Sequence, residues 1–322
     1  MSTASKVLRA VSWAEGLRSG LRTTWELGVV IFPVTVAVVL LRFTPAYGLL
    51  LEALAPAMGL FGLPGEAAVP LVLGNLLNLY AAIGAILAME LTVKQVFTLA
   101  LMLGFSHMLP VESAICRRVG VSVLLVVGFR LGLAAAAGLA VAWLWDGGRE
   151  RARYGLAAPA AEEPSGWGEA LFDALRTAAE GILQLALIVV PVMVLIQILR
   201  DLGALQRFAA LMRPLMRPLG IVPRGAVTMA GGLVFGLAFG AGIILEQARE
   251  QRFSRREITL IALFLCACHA VIEDTLIFVP LGIDVLPLLV IRLLSAVALV
   301  FVIARLWPAE REEGRDARDQ PS

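Results

Sequence analysis

An all-α polytopic membrane protein is the fold class this sequence predicts. It should be built as two inverted repeats, each of three transmembrane helices plus one re-entrant, broken hairpin. Three observations lead there. The 322 residues are 59% hydrophobic and only 16% charged, and several apolar runs reach the roughly 20 residues needed to cross a bilayer. The runs are continuous rather than alternating, which argues against a transmembrane barrel. Second, the stretch Ser106-His107-Met108-Leu109-Pro110-Val111-Glu112-Ser113-Ala114-Ile115 recurs 162 positions later as Cys268-His269-Ala270-Val271-Ile272-Glu273-Asp274-Thr275-Leu276-Ile277. The shared pattern is His, four residues, an acid, a hydroxyl and an Ile, and it contains both histidines of the chain. Third, the basic residues are distributed unevenly along the chain, which bears on orientation.

In chain order, residues 1–24 are basic (Lys6, Arg9, Arg18, Arg22) and are expected to be a cytoplasmic N-terminal segment. The first repeat covers 25–145. Trp25–Leu41 is its first apolar segment, an uncleaved signal anchor with Pro33 as an expected kink. Residues 42–66, with three prolines, read as interfacial. Ala67–Met89 is apolar but holds Gly74, Asn75, Asn78, Tyr80 and Gly84. Val96–Cys116 carries the first His motif, and Val119–Trp145 carries Arg130. A polar linker follows at 146–178. The second repeat, 179–307, runs in the same order: Ile182–Leu199 with Pro191, a basic interfacial stretch at 200–224, glycine-rich Gly225–Leu245, Ile258–Leu281 with the second His motif, and Val285–Leu306 with Arg292. The tail, 308–322, is charged and expected to be disordered.

The two glycine-bearing segments decide the orientation of the halves. If both return to the side they left, each half crosses three times and the halves are inverted. Arg42, Lys94, Arg149, Arg151, Arg153 and Arg176 then lie outside, and the other basic residues, apart from Arg130 and Arg292, lie on the cytoplasmic side with both termini. Full crossing by both segments gives a weaker asymmetry. Glycine-rich backbone at membrane depth is tolerated where it lines a cavity, and inverted repeats with broken helices are a secondary-transporter architecture.

Ionisable groups at this depth are costly and mark functional sites by default. Arg130 lies twelve residues into its segment, about 18 Å deep at 1.5 Å per residue, beyond easy snorkelling. Arg130 and Arg292 could bind an anionic group, or pair with Glu112 and with Asp274 or Glu273 to glue helices together. Three acids against two arginines leave one acid free to titrate and couple protons. His107 and His269 could join that relay or only bond between helices. Asn75 and Asn78 share a helix face and could bond a solute or cap a break. Cys266, Cys268 and His269 are weak candidates for a soft transition metal, since cysteines in apolar helices are usually small hydrophobes. The three cysteines give no disulfide framework. Neither Lys6 nor Lys94 follows a glycine, so a Walker phosphate loop is absent. No enzymatic activity, cofactor or nucleic-acid partner is expected.

The order Leu51-x-x-Leu54-Ala55-Pro56, Gly62-Leu63-Pro64-Gly65 and Gly74-Asn75-x-x-Asn78-x-x-Ala81-x-x-Gly84 resembles the nucleoside-recognition (Gate) domain family. That family includes spore maturation proteins A and B, and Gate segments occur in ferrous iron transporter B and concentrative nucleoside transporters. The resemblance covers roughly 26–145 and 180–307 and implies paired Gate repeats in a bacterial inner membrane. The chain departs from the family in two ways: no G-protein domain precedes the Gates, and the second hairpin offers Thr228 but no Asn or Gln. The expectation is a proton-coupled permease for a small polar solute, anionic or nucleoside-like, bound at the repeat interface. A divalent transition-metal permease and a non-transporting scaffold of the spore-maturation type are the alternatives. Beyond the lipid bilayer and the solute, a homodimer or a second membrane subunit stays open as a partner.

Overall fold

The computed structural model describes residues 11–41, 44–154, 166–237, 240–242, 244 and 253–307. The expectations for residues 1–10 and for the tail from 308 lie outside the described residues. Among the described residues every regular element is a helix. In order these are α1 (Trp13–Leu41), α2 (Pro45–Gly59), α3 (Ala68–Leu76), α4 (Leu79–Leu87), α5 (Val93–Ser106), α6 (Leu109–Arg118) and α7 (Val123–Leu144). The second half holds α8 (Trp167–Asp201), α9 (Ala204–Met216), α10 (Ala226–Phe235), α11 (Arg255–Ala267), α12 (Glu273–Leu276) and α13 (Val285–Leu306).

The same local chemistry starts equivalent helices in both halves. A capping box opens α5 (Thr92 with Gln95) and another opens α11 (Ser254 with Glu257), so two orphan N–H groups are satisfied reciprocally at each. Ser122 caps α7 and Asp284 caps α13. Lys94 donates to the carbonyls of Ala142 and Trp145 at the end of α7. Its counterpart Arg256 donates to Ala304 and Trp307 at the end of α13. Cations at helix C-termini satisfy orphan carbonyls and oppose the dipole.

The two glycine-bearing segments double back. A methyl group built on Gly74 would lie 3.0 Å from Ala82 Cβ, and one built on Gly240 would lie 3.2 Å from Gly232 Cα. A continuous helix would hold residues eight apart about 12 Å apart. Asn78 makes the first break by accepting from Ala81 N–H as the N-cap of α4. Gly236, at φ +94, makes the second. Each hairpin seats against the helix that carries its half's His: the Gly74 methyl would meet Leu103, and the Gly232 methyl would meet Leu265.

Some expectations change. The helix of the first apolar segment begins at Trp13, and the corresponding helix of the second half begins at Trp167, so each runs well ahead of its apolar stretch. Pro33 and Pro191 lie inside these helices. Ile258–Leu281 is not one span. Helix α11 stops at Ala267, the chain turns through Ala270 at φ 42, and only the short α12 and a 3-10 turn at Val279–Leu281 follow. Among the described residues four helical stretches are long and apolar enough to cross a membrane: α1, Val93–Arg118, α7 and α13. The bent pair Val189–Asp201 and Ala204–Met216 makes a fifth if counted as one span.

Helices α1 and α8 pack along their length. Gly16 faces Val194, Gly20 faces Val190 and Gly28 faces Ile182, so the two helices run antiparallel. The buried core forms two clusters, and each recruits residues from the other half: Phe278 and Leu288 join the first, Cys116 and Val126 the second.

Candidate functional site

The site lies where both His-bearing helices break. Helix α5 ends at Ser106 and α6 starts at Leu109; between them Met108 sits at φ 54. In the second half Ala270 takes the equivalent place at φ 42. Left-handed backbone at a residue with a Cβ costs about 1–2 kcal/mol. The turns of the hairpins over-determine it, because Met108 N–H donates to Gly74 O at 2.8 Å and Ala270 N–H donates to Gly232 O at 3.2 Å. Each break exposes helix ends of opposite polarity. The C-terminal ends take the arginines: Arg130 Nε donates to Phe105 O at 2.7 Å and Arg292 Nη2 donates to His269 O at 3.3 Å. The N-terminal turns that follow carry Glu112 and Asp274.

Six ionisable residues from both halves meet here. Arg130 pairs with Glu112 at 2.5 Å and Arg292 with Asp274 at 3.1 Å. Both guanidinium groups are 0% exposed. The imidazoles of His107 and His269 lie 5.3 Å apart, ring centre to ring centre. His269 Nε2 is 3.1 Å from Glu112 Oε1 and 3.7 Å from Asp274 Oδ2. His107 Nε2 is 3.4 Å and 3.9 Å from the same two oxygens. Each half thus lends its histidine to the other half's acid.

The other ring nitrogens fix the tautomers. His107 Nδ1 lies 2.8 Å from Leu103 O, and His269 Nδ1 lies 2.7 Å from Leu265 O. A carbonyl oxygen only accepts, so both Nδ1 atoms carry hydrogen. In a neutral ring that leaves each Nε2 as a lone pair facing carboxylate oxygen. Both Nε2 lone pairs then converge with Glu112 Oε1, the oxygen that Arg130 leaves free, and with Asp274 Oδ2, which accepts from Arg292 Nη2; acceptors this close favour a proton or another cation between them. The two arginines and two acids cancel, so a cation held there would add its charge to a neutral set.

Other sequence candidates divide. Glu273 accepts from the Tyr80 hydroxyl, which ties the first hairpin to the second motif; it does not pair with Arg292, and Asp274 does. Asn78 is committed to its cap, and Asn75 Oδ1 is buried without a hydrogen bond. Arg130 Nη2, Arg292 Nε and Nη1, Ser113 Oγ and Thr275 Oγ1 are likewise buried with no hydrogen-bond partner. Cys266 lies 3.6 Å from Cys116, sulfur to sulfur, across the halves, and all three cysteines are free and buried. Among the described residues, the group of His, Cys, Asp and Glu donor atoms placed to hold a metal ion is His107, Glu112 and His269, with no cysteine in it.

Sequence reasoning missed three contributors. Tyr80 was visible only as a hydroxyl in an apolar segment. Gly104 gives room for Arg292, whose Cδ would lie 3.0 Å from a methyl there. The carbonyls of Leu103 and Leu265 orient the rings, and no side-chain pattern marks a backbone acceptor.

Comparison with known proteins agrees on kind and not on task. The family described as nucleoside recognition (Gate) matches residues 182–283. The uncharacterized membrane protein YvoD of Bacillus subtilis (strain 168) is 49% identical over 292 residues, which cover 91% of this chain and 94% of that protein. No solved structure matches.

Proposed function

This chain belongs to the nucleoside-recognition (Gate) family of membrane proteins, and from that premise we propose that it is a cation-coupled secondary transporter of a small polar solute in a bacterial inner membrane. One observation carries the reading. His107 Nε2, His269 Nε2, Glu112 Oε1 and Asp274 Oδ2 converge with Nε2-to-oxygen distances of 3.1 to 3.9 Å, an acceptor-rich cluster that favours a bound cation. The proton is the simplest such cation.

Two further features support transport. The antiparallel packing of α1 on its repeat counterpart α8 favours inverted repeats, in which the pairs 16/194, 20/190 and 28/182 follow from a two-fold axis in the membrane plane. The seam then lies on that axis, where alternating access needs it. The hydrogen-bond groups left over at the seam are guanidinium N–H donors and the paired hydroxyls of Ser113 and Thr275. They suit a solute that accepts hydrogen bonds. An anionic solute is less well served, because each guanidinium is already neutralised within its own half.

The test is charge movement in proteoliposomes on a solid-supported membrane. Acid or cation steps should give a transient current in the wild type. The doubly neutral variant Glu112→Gln/Arg130→Met should keep its fold, checked by melting, and lose the current. No current with any cation from well-folded protein would favour the scaffold reading instead.

A further inference from the structure

We infer that His107 Nε2, His269 Nε2 and Glu112 Oε1 form a three-ligand seat for a divalent d-block cation, an inference that deepens the cation reading above and rests on it. The near atoms of all three converge, lying within 4.8 Å of one another. A tetrahedral ion with bonds of 2.0–2.2 Å sets its donor atoms about 3.3–3.6 Å apart. Two of the three edges, 3.1 Å for His269–Glu112 and 3.4 Å for His107–Glu112, lie within a few tenths of that.

The far atoms of all three are already held. Each Nδ1–H donates to the carbonyl four residues earlier, which fixes ring orientation and directs the Nε2 lone pair inward. Glu112 gives its other oxygen, Oε2, to Arg130. Oriented imidazoles and a carboxylate anchored from behind are the outer shell that metal ligands require. Burial explains why such support is needed, since a loose imidazole at 4% exposure would find no water to orient it.

The donor set selects the class of ion. Two imidazoles and one carboxylate suit Zn²⁺, Co²⁺ or Mn²⁺, whereas Mg²⁺ and Ca²⁺ want all-oxygen shells. A soft ion such as Cu⁺ would call for the cysteines, which stand apart from this group. Three protein ligands leave a fourth position open, as exchangeable sites do and closed structural sites do not. Asp274 Oδ2 stands at 3.7 and 3.9 Å from the two Nε2 atoms as the group able to close that position, and Arg292 restrains it.

Electrostatics sets the strength. The ion would touch Glu112 on one oxygen while Arg130 holds the other, so the carboxylate's attraction acts at about 2 Å and the guanidinium's repulsion acts from farther away. Coulomb energy falls with distance, so attraction wins, but the seat stays positive overall after loading.

The experiment is a Co²⁺ titration of the purified full chain carrying an affinity tag free of histidine. Visible ligand-field bands of tetrahedral Co²⁺ should appear and be erased by Zn²⁺. His107→Gln and His269→Gln should each weaken binding tenfold or more, and Cys268→Ser should leave it unchanged. Absence of bands from monodisperse wild-type protein overturns the inference without reference to any variant. Bands that survive the double histidine variant, or vanish in Cys268→Ser, also overturn it. The current measurement separates the two levels: an acid-step current without Co²⁺ binding sinks the metal seat alone, whereas Co²⁺ binding without current for any cation sinks transport alone.

Discussion

At the scale of single residues, the buried pairs decide what each substitution does. Removing one partner leaves the other charged in a dry site, so Glu112→Gln alone should destabilise by about 3–5 kcal/mol. Adding Arg130→Met should recover part of that loss, because it removes the unpaired guanidinium while Phe105 O loses its donor. Equilibrium melting in a fixed detergent checks both, and a double variant no better than the single one would show that the pair is not the relevant unit. Asn78 gives a second case. Its side chain caps α4, so Asn78→Ala should cost about 1 kcal/mol and leave solute affinity alone. At Ala270, φ 42 favours glycine. Ala270→Gly should therefore stabilise by about 1 kcal/mol, with a raised melting temperature as the sign. Much of this chemistry could be read in advance: the paired His, acid and Arg of each half stood out as charges in apolar sequence. Which acid Arg292 would choose could not, because Glu273 and Asp274 are neighbours and only the short α12 turns one to the arginine and the other to Tyr80.

At the scale of elements, the two breaks are held by hairpins packed without slack. A methyl on Gly74 would come within 2.3 Å of Leu103, and one on Gly232 within 2.5 Å of Leu265. Gly74→Ala and Gly232→Ala should each destabilise by about 1–3 kcal/mol through overpacking and should also blunt the current, because each pushes on the residue whose carbonyl orients a histidine. An unchanged current in either variant would separate the hairpin from the site. The sequence announced two apolar, glycine-bearing segments at matched places, and the structure folds both back. It did not announce that Ile258–Leu281 would fail to form one helix. Hydropathy is blind to a turn whose polar backbone is satisfied by another segment, and here Gly232 and Leu233 carbonyls take the N–H groups of Ala270 and Val271. Nor could apolar periodicity place the starts of α1 and α8, since their first turns are amphipathic and lie ahead of the apolar runs.

At the scale of the whole molecule, each half completes the other's site. The first half's glutamate faces both histidines, and Gly104 of the first half makes room for Arg292 of the second. Duplication was legible as a repeat of pattern; the exchange between halves was not, because it depends on how the two copies dock. Cys116 and Cys266 report on that docking. They span the halves at 3.6 Å, so copper–phenanthroline oxidation should join their sulfurs and weld α6 to α11. If the halves move against each other in transport, the weld should stop the current, dithiothreitol should restore it, and Cys116→Ser should be immune. The most direct measurement uses the fact that the chain has two histidines only. ¹⁵N-histidine labelling in lipid then gives two imidazoles, each read at both nitrogens. Both Nδ1 atoms should carry hydrogen throughout, and the Nε2 signals should respond to acidification and move together on adding Zn²⁺. A hydrogen fixed on Nε2 with Nδ1 bare in either ring, or two Nε2 signals indifferent to every cation, would contradict a cation seat at the seam.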